Sequence, residues 1–131
     1  MHDTLGGMRK IAITLLAMIA LSGMLAGCGS QQGGANNPAD TANATVIDVR
    51  TPAEFATGHL QGAVNIDVTA ANFVAKITAL PKDSTYLLYC RSGSRAGQAR
   101  TIMLQQGFTD VTNLGSLQAA SSATGLPIVT Q

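Results

Sequence analysis

The stretch from residue 85 to residue 107 constrains the fold of this chain most, because a strand, a cysteine, a basic loop and a helix follow one another there. Thr85–Tyr89 is a short apolar and aromatic run after a Pro-Lys-Asp-Ser turn, which predicts a strand buried on both faces. Cys90 ends this strand, residues 91–95 form a small and basic loop, and residues 96–106 have a helical pattern that a glycine closes. The sulfur would therefore lie beside loop amides and a helix N-terminus, an environment suited to an anionic sulfur species.

The rest of the predicted folded domain, residues 45–131, alternates short apolar runs with helical patterns. This alternation predicts an α/β fold with a central, mostly parallel sheet of about five strands and helices on both faces. Besides the elements around Cys90, the pattern predicts strands at Val46–Val49, Ala63–Ile66 and Val111–Leu114, helices at Pro52–Ala56 and Asn72–Leu80, a turn at His59–Gly62, a helical turn at Leu117–Ser121 and an extended end at Leu126–Val129.

Residues 1–27 have the architecture of a signal peptide, in which a basic pair, an apolar run at 11–25 and small residues precede Cys28. This arrangement resembles the lipobox of bacterial lipoproteins. The resemblance implies cleavage before Cys28, lipidation of its sulfur and attachment to the periplasmic face of the cell envelope, with the outer membrane mildly preferred because Gly29 follows. An uncleaved anchor helix is the alternative, although the apolar run is shorter than the ~20 residues of a spanning helix. The start of the chain, Met1 or Met8, stays open.

Residues 28–44 are rich in Gly, Asn, Gln and Ala and lack apolar periodicity. They predict a flexible tether with a root-mean-square span on the order of 20–25 Å. The tether would hold a small domain just off a membrane surface.

The composition excludes several classes of function. Charged residues make up 11% of the 131 residues and the formal net charge is +1, so nothing indicates a nucleic-acid partner. Of the two cysteines, one lies in the targeting segment, so no disulfide framework is expected. One thiol and one histidine in the folded part fall short of the ligands of a zinc site, and neither a metal nor another cofactor is predicted.

Two segments together resemble the rhodanese-like (sulfurtransferase) domain family. Val46–Ile66 is similar to the family signature D-V-R-x-x-x-E-[FY]…G-H-[IL]-x-G-A-x-N-[IL], and Tyr89–Ala96 is similar to its active loop Y-C-x-x-G-x-R-[SA]. Gln61 departs from the proline usual in the first signature. Residues 114–117 replace a Gly-Gly pair and a later aromatic residue, which leaves the packing of the last helix open.

The resemblance implies a sulfurtransferase of the thiosulfate sulfurtransferase type, in a single-domain exported form. Sulfane sulfur would pass from a donor such as thiosulfate to cyanide or a thiol through a persulfide on the catalytic Cys90. A thiolate is the nucleophile, so the loop amides, the helix N-terminus and two arginines would favour the anion. The residues predicted to bind the substrate are Arg91, Ser92, Gly93, Ser94 and Arg95.

Four residues of the first signature are predicted as structural support for this site. Asp48 and Arg50 would pair at the end of their strand, and His59 would have a structural role in its turn. Glu54 is the fourth. Arg95 has two open interpretations: it contacts the anionic substrate, or it forms a salt bridge to Asp48 or Glu54. An arginine fork suits an oxyanion and a carboxylate equally.

Two other functions compete with this interpretation. A membrane-tethered persulfide carrier or binding module would use Cys90 without turnover. A cysteine-dependent phosphatase or arsenate reductase would need an arginine one position later, where this chain has Ala96. The shorter loop suits a single sulfur atom better than a phosphoryl group.

Overall fold

The structure, a computed structural model, describes residues 41–131. The predicted signal peptide, Cys28 and most of the predicted tether lie outside these residues. The strands are β1 Ala44–Asp48, β2 His59–Leu60, β3 Val64–Asn65, β4 Thr85–Cys90, β5 Asp110–Ser116 and β6 Ile128–Val129. The helices are α1 Pro52–Thr57, α2 Phe73–Thr78, α3 Ser94–Gln105 and α4 Leu117–Thr124.

The central sheet has the strand order β3-β1-β4-β5, and every neighbouring pair in it is parallel. The predicted α/β fold with a mostly parallel sheet is therefore confirmed. This sheet has four strands where the sequence predicted about five. The terminal strand β6 pairs instead with β2, antiparallel and in a separate two-stranded sheet. Residues 59 and 60, predicted as a turn, are extended because they pair with this returning end of the chain.

Strand β4 lies inside the sheet and is buried on both faces. Its residues Tyr86, Leu88 and Cys90 belong to the larger core cluster, which also contains apolar side chains of α2 and α3. Leu87 and Tyr89 belong to a second cluster on the other face, together with Ala120 of α4. The two clusters explain the continuous apolar run of β4, since a strand covered on both faces does not alternate.

Local capping explains where the helices nearest the site begin. Thr51 and Glu54 form a reciprocal capping box at the start of α1, with proline in the first turn. The Ser116 side chain accepts a hydrogen bond from the Ala119 N–H and starts α4, which is a full eight-residue helix where the sequence predicted one turn. No helix within residues 41–131 is long and apolar enough to cross a membrane.

Candidate active site around Cys90

Cys90 ends β4 at the edge of the sheet where the parallel strands have their carboxyl ends. The strands on either side, β1 and β5, end at Asp48 and Ser116, so their following loops approach the same edge. Ligand sites of parallel α/β sheets lie outside this edge. The cysteine itself is fully buried, and the Gly93 N–H donates a hydrogen bond to its sulfur at 2.9 Å.

The environment of the sulfur favours the thiolate. Burial acts to raise the pKa of Cys90, but backbone N–H groups that favour the anion outweigh it, so the pKa lies below its ordinary value. These amides belong to Ala96, Ser92, Gly93 and Arg95. Of these groups, the Gly93 N–H makes the hydrogen bond to the sulfur, and the amides of Arg95 and Ala96 belong to the first turn of α3.

Gly93 gives the loop its shape. Its φ is +93°, in the left-handed region that favours glycine, and it immediately precedes α3. A Cβ at Gly93 would lie 3.2 Å from the Gly115 Cα, so the loop and the end of β5 touch backbone to backbone. The Gly93 carbonyl accepts the Gly97 N–H at 2.9 Å in the first turn of α3.

Arg95 binds Glu54 through both arms of its guanidinium. Its Nη1 and Nη2 donate to the two carboxylate oxygens at 2.7 and 2.8 Å. The Arg95 contact lowers the pKa of Glu54 to about 2 against the opposing effect of burial, with help from Thr51. The same contact raises the pKa of Arg95, which burial opposes. The salt bridge foreseen as one interpretation of Arg95 is thus present, while its predicted contact with substrate stays a prediction.

Arg91 is exposed and makes no ion pair within residues 41–131. It lines a cleft of about 410 Å³ beside the loop. The other lining residues are Arg50, Glu54, Thr57, Leu117 and Gln118. Cys90 is not among the lining residues, and of the two arginines that line the cleft, Arg50 is paired with Asp48 while Arg91 has no ion pair in residues 41–131. Ser92 is exposed on the same loop, and Ser94 is exposed at the first position of α3.

Asp48 and Arg50 form a buried ion pair after β1. The Arg50 Nη2 lies 2.6 Å from the Asp48 Oδ2 and 2.6 Å from the Gly58 carbonyl oxygen, to which it donates. The Asn65 side chain donates to the carbonyls of both residues. These contacts tie β1, β3 and the end of α1 together below the cleft.

His59 packs against α1, and its hydrogen bond and ring stacking are with Phe55 and not with the Cys90 sulfur. Its Nδ1 is 2.9 Å from the Phe55 carbonyl oxygen, and its ring stacks on the Phe55 ring with centroids 3.7 Å apart. These contacts hold the end of α1 against β2. No group of three or more His, Cys, Asp or Glu side chains within residues 41–131 is placed to hold a metal ion.

Several residues that shape the site did not follow from the sequence reasoning. The capping box at Thr51 and Glu54 has a recognisable signal, the pattern T-x-x-E before a helix, and it orients the carboxylate that Arg95 binds. Asn113 lies in the run that predicted a strand, and its contact with the loop depends on the fold. Leu117 and Gln118 of the cleft carry no signal, because only packing brings α4 to it.

The fold and the site define an α/β protein with an activated cysteine at the carboxyl edge of a parallel sheet. Comparison with known proteins gives the family: the Rhodanese-like domain matches residues 32–123, about two thirds of the chain. The chain belongs to the rhodanese-like domain family. The match starts within the predicted tether.

Relatives and solved structures agree with this assignment. A protein of Allochromatium vinosum named sulfurtransferase is 38% identical over 91 residues, which cover 70% of this chain and 83% of that protein. The thiosulfate sulfurtransferase PspE of Escherichia coli is 36% identical over 72 residues, covering 55% and 69% of the two chains. A solved rhodanese with anions from E. coli has a TM-score of 0.55 at 31% identity and covers 67% of this chain and 99% of that one.

Proposed function

We propose that this chain is a sulfurtransferase that moves sulfane sulfur from a donor such as thiosulfate to a thiophilic acceptor through a Cys90 persulfide. The observation that carries the proposal is the buried Cys90 sulfur at the end of β4, to which the Gly93 N–H donates at 2.9 Å. The sulfurtransferase names of the relatives support it.

In the first step the Cys90 thiolate attacks the outer sulfur of thiosulfate. A new S–S bond forms, the bond between the two donor sulfurs breaks, and its electron pair leaves with sulfite. The terminal persulfide sulfur carries the negative charge, so the loop amides that favour the thiolate favour this product as well. Arg91 would attract both the donor and the leaving anion into the cleft.

In the second step a nucleophilic acceptor attacks the terminal sulfur of the persulfide. Cyanide leaves as thiocyanate, or a thiolate leaves as a persulfide, and the electron pair of the broken S–S bond returns to Cys90 as thiolate. Residues 41–131 contain no second cysteine. A chain whose Cys28 is lipidated would thus have no internal thiol to discharge the persulfide, and the sulfur would pass to another molecule.

The position of Arg95 favours sulfur transfer over phosphoryl transfer. A phosphatase loop needs a free arginine fork to hold the phosphoryl oxygens. Here Arg95 lies one position too early for that role, Ala96 stands at the required position, and both terminal nitrogens of Arg95 donate to Glu54. The loop retains backbone donors for a single sulfur atom, which is what a persulfide needs.

Thiosulfate:cyanide sulfur transfer by purified protein tests the proposal, with Cys90→Ser as the matched blank. We expect thiocyanate production that depends on Cys90, and a mass increase of about 32 Da on the Cys90 peptide after thiosulfate, one sulfur atom. Loading without turnover to cyanide or to small thiols would support a carrier and reject the enzyme. Hydrolysis of p-nitrophenyl phosphate without sulfur transfer would reject both.

We also propose that the protein is exported and anchored to the cell envelope through a lipid on Cys28. The basic pair, the apolar run and the small residues before Cys28 support this. Metabolic labelling with a fatty acid, followed by membrane fractionation, should place label and protein in the membrane fraction. A Cys28→Ala chain should lose both, and a labelled Cys28→Ala chain would contradict the proposal.

A further inference from the structure

Asn113 joins the end of β5 to the loop that holds Cys90. Its side-chain Nδ2 donates to the Gly93 carbonyl oxygen at 2.9 Å, and its Oδ1 accepts the Gly115 N–H at 2.9 Å. Both ends of one amide are therefore used, one on the loop and one on its own strand. Leu117 and Gln118 contribute to the cleft just beyond this strand end.

An irregularity in β5 directly follows Asn113. In the pairing of β4 with β5, Leu88 lies opposite Asn113, but two residues later Cys90 lies opposite Ser116. Strand β5 thus has one extra residue beside the cysteine, as in a β-bulge, and Gly115 adopts a φ of +87° there. Bulges next to active sites commonly redirect a side chain.

Gly93 is the residue on which this arrangement acts. Its N–H donates to the Cys90 sulfur at 2.9 Å, and its carbonyl oxygen accepts the Asn113 amide. Glycine has the widest conformational freedom of all residues, so a left-handed glycine that carries an important N–H needs contacts that fix it. The backbone contact with Gly115, the Gly97 N–H that its carbonyl accepts in the first turn of α3, and the hydrogen bond from Asn113 provide them.

We propose that Asn113 is a positioning residue that holds Gly93 so that its N–H stays directed at the Cys90 sulfur. This inference rests on the proposed function only in taking Cys90 as the reactive thiol. Asn113 does not touch the sulfur. It acts through Gly93 on the thiolate and on the persulfide that replaces it.

The test is the rate of alkylation of Cys90 by iodoacetamide in the full chain, from about pH 5 to about pH 10, because only the thiolate reacts. Mass spectrometry of the tryptic peptide Asp83–Arg91 reads Cys90 separately from Cys28. Asn113→Ala removes both side-chain hydrogen bonds. Asn113→Asp keeps an acceptor for the Gly115 N–H but sets a carboxylate against the Gly93 carbonyl, and about 0.5 M salt screens its charge. Thr112→Ala, at the neighbouring exposed position of β5, is the matched control.

We expect both Asn113 variants to react about three- to tenfold more slowly than the wild type at pH 7, with midpoints at higher pH, and Thr112→Ala to follow the wild type. At high pH, where all forms are thiolate, the rates should converge. Circular dichroism confirms that each variant is folded. Wild-type alkylation profiles for both Asn113 variants would overturn the inference, and so would an equal shift in Thr112→Ala. Unfolding of both variants would also overturn it, since the role would then be structural.

This readout separates the inference from the proposed function. A chain that shows the expected alkylation shifts but transfers no sulfur rejects the function and leaves the role of Asn113 intact. If the wild type transfers sulfur but the alkylation midpoints of both Asn113 variants equal that of the wild type, the proposed function stands and the role of Asn113 is rejected.

Discussion

Replacing Glu54 by glutamine isolates the charge of the Glu54–Arg95 pair. Glutamine serves at the third position of a capping box as glutamate does, so the start of α1 should persist. The substitution removes the ionised partner of Arg95, whose two donors lie 2.7 and 2.8 Å from the carboxylate. Any change in the free energy of unfolding is then due mainly to the loss of the ion pair, not to a change at the start of α1.

The expected magnitude follows from the pKa of Glu54. A fall from its ordinary value of 4.5 to about 2 corresponds to an upper limit of about 3 kcal/mol at neutral pH. The side chains of Arg95 and Glu54 keep 25% and 30% of their exposure, so solvent screens the pair. We therefore expect Glu54→Gln to lower the free energy of unfolding by about 1–2 kcal/mol at pH 7.

The stabilisation by the Glu54–Arg95 pair should depend on pH in a direction set by the pKa of Glu54. The folded-state pKa of Glu54 is depressed, so the stabilisation is fully present above the unfolded pKa and is lost as the pH falls through about 2. Urea unfolding from pH 7 to pH 3, followed by circular dichroism, measures the difference in unfolding free energy between wild type and Glu54→Gln. This difference should shrink below pH 4.5 and fall to about half of its pH 7 value or less by pH 3. Asp83 is an exposed carboxylate without an ion pair in residues 41–131, so it serves as the control. The Asp83→Asn variant should keep an unfolding free energy close to that of the wild type from pH 7 to pH 3. A Glu54→Gln difference of the same size at pH 3 and pH 7 would refute the reasoning.

The remaining predictions concern the loop, the cleft and the second core cluster. Gly93→Ala should lower the free energy of unfolding by about 1–3 kcal/mol, as measured by thermal or urea unfolding. The reasons are the φ of +93° at Gly93 and the 3.2 Å approach of an added Cβ to Gly115. The control Gly97→Ala, inside α3, should leave this free energy unchanged or raise it slightly. Arg91→Gln should raise the KM for thiosulfate several-fold, weaken its dependence on salt and leave the unfolding free energy unchanged, and an unaltered KM would remove Arg91 from donor binding. Tyr89→Phe should cost about 1–3 kcal/mol of unfolding free energy, because the buried Leu60 N–H loses the hydroxyl that accepts it at 3.0 Å.

The fold could be predicted, and Cys90 could be singled out as a candidate, because both signals are local. The apolar run of β4, the cysteine at its end and the helical pattern after Gly93 all lie within a few residues of one another. The pairing of β6 with β2 could not be predicted in this way, because it depends on where the end of the chain returns. The contact of Asn113 with Gly93 joins residues 20 positions apart, beside one extra residue in β5. No local pattern reports such a register shift.

The two arginines of the loop show why a loop motif does not assign roles by itself. Arg91 and Arg95 have the same chemistry and lie four positions apart. Within residues 41–131 only Arg95 meets a carboxylate, that of Glu54, which lies 41 residues earlier in the chain and in the capping box of α1. Arg50 is likewise paired, with Asp48. Among the arginines of the described site, Arg91 is the one without a carboxylate partner in residues 41–131. Under the proposed function, Arg91 would attract the doubly charged donor from solvent, while backbone amides would receive its sulfur. Charge selection and sulfur binding would then belong to different groups, so loss of Arg91 should affect donor capture more than the reactivity of Cys90.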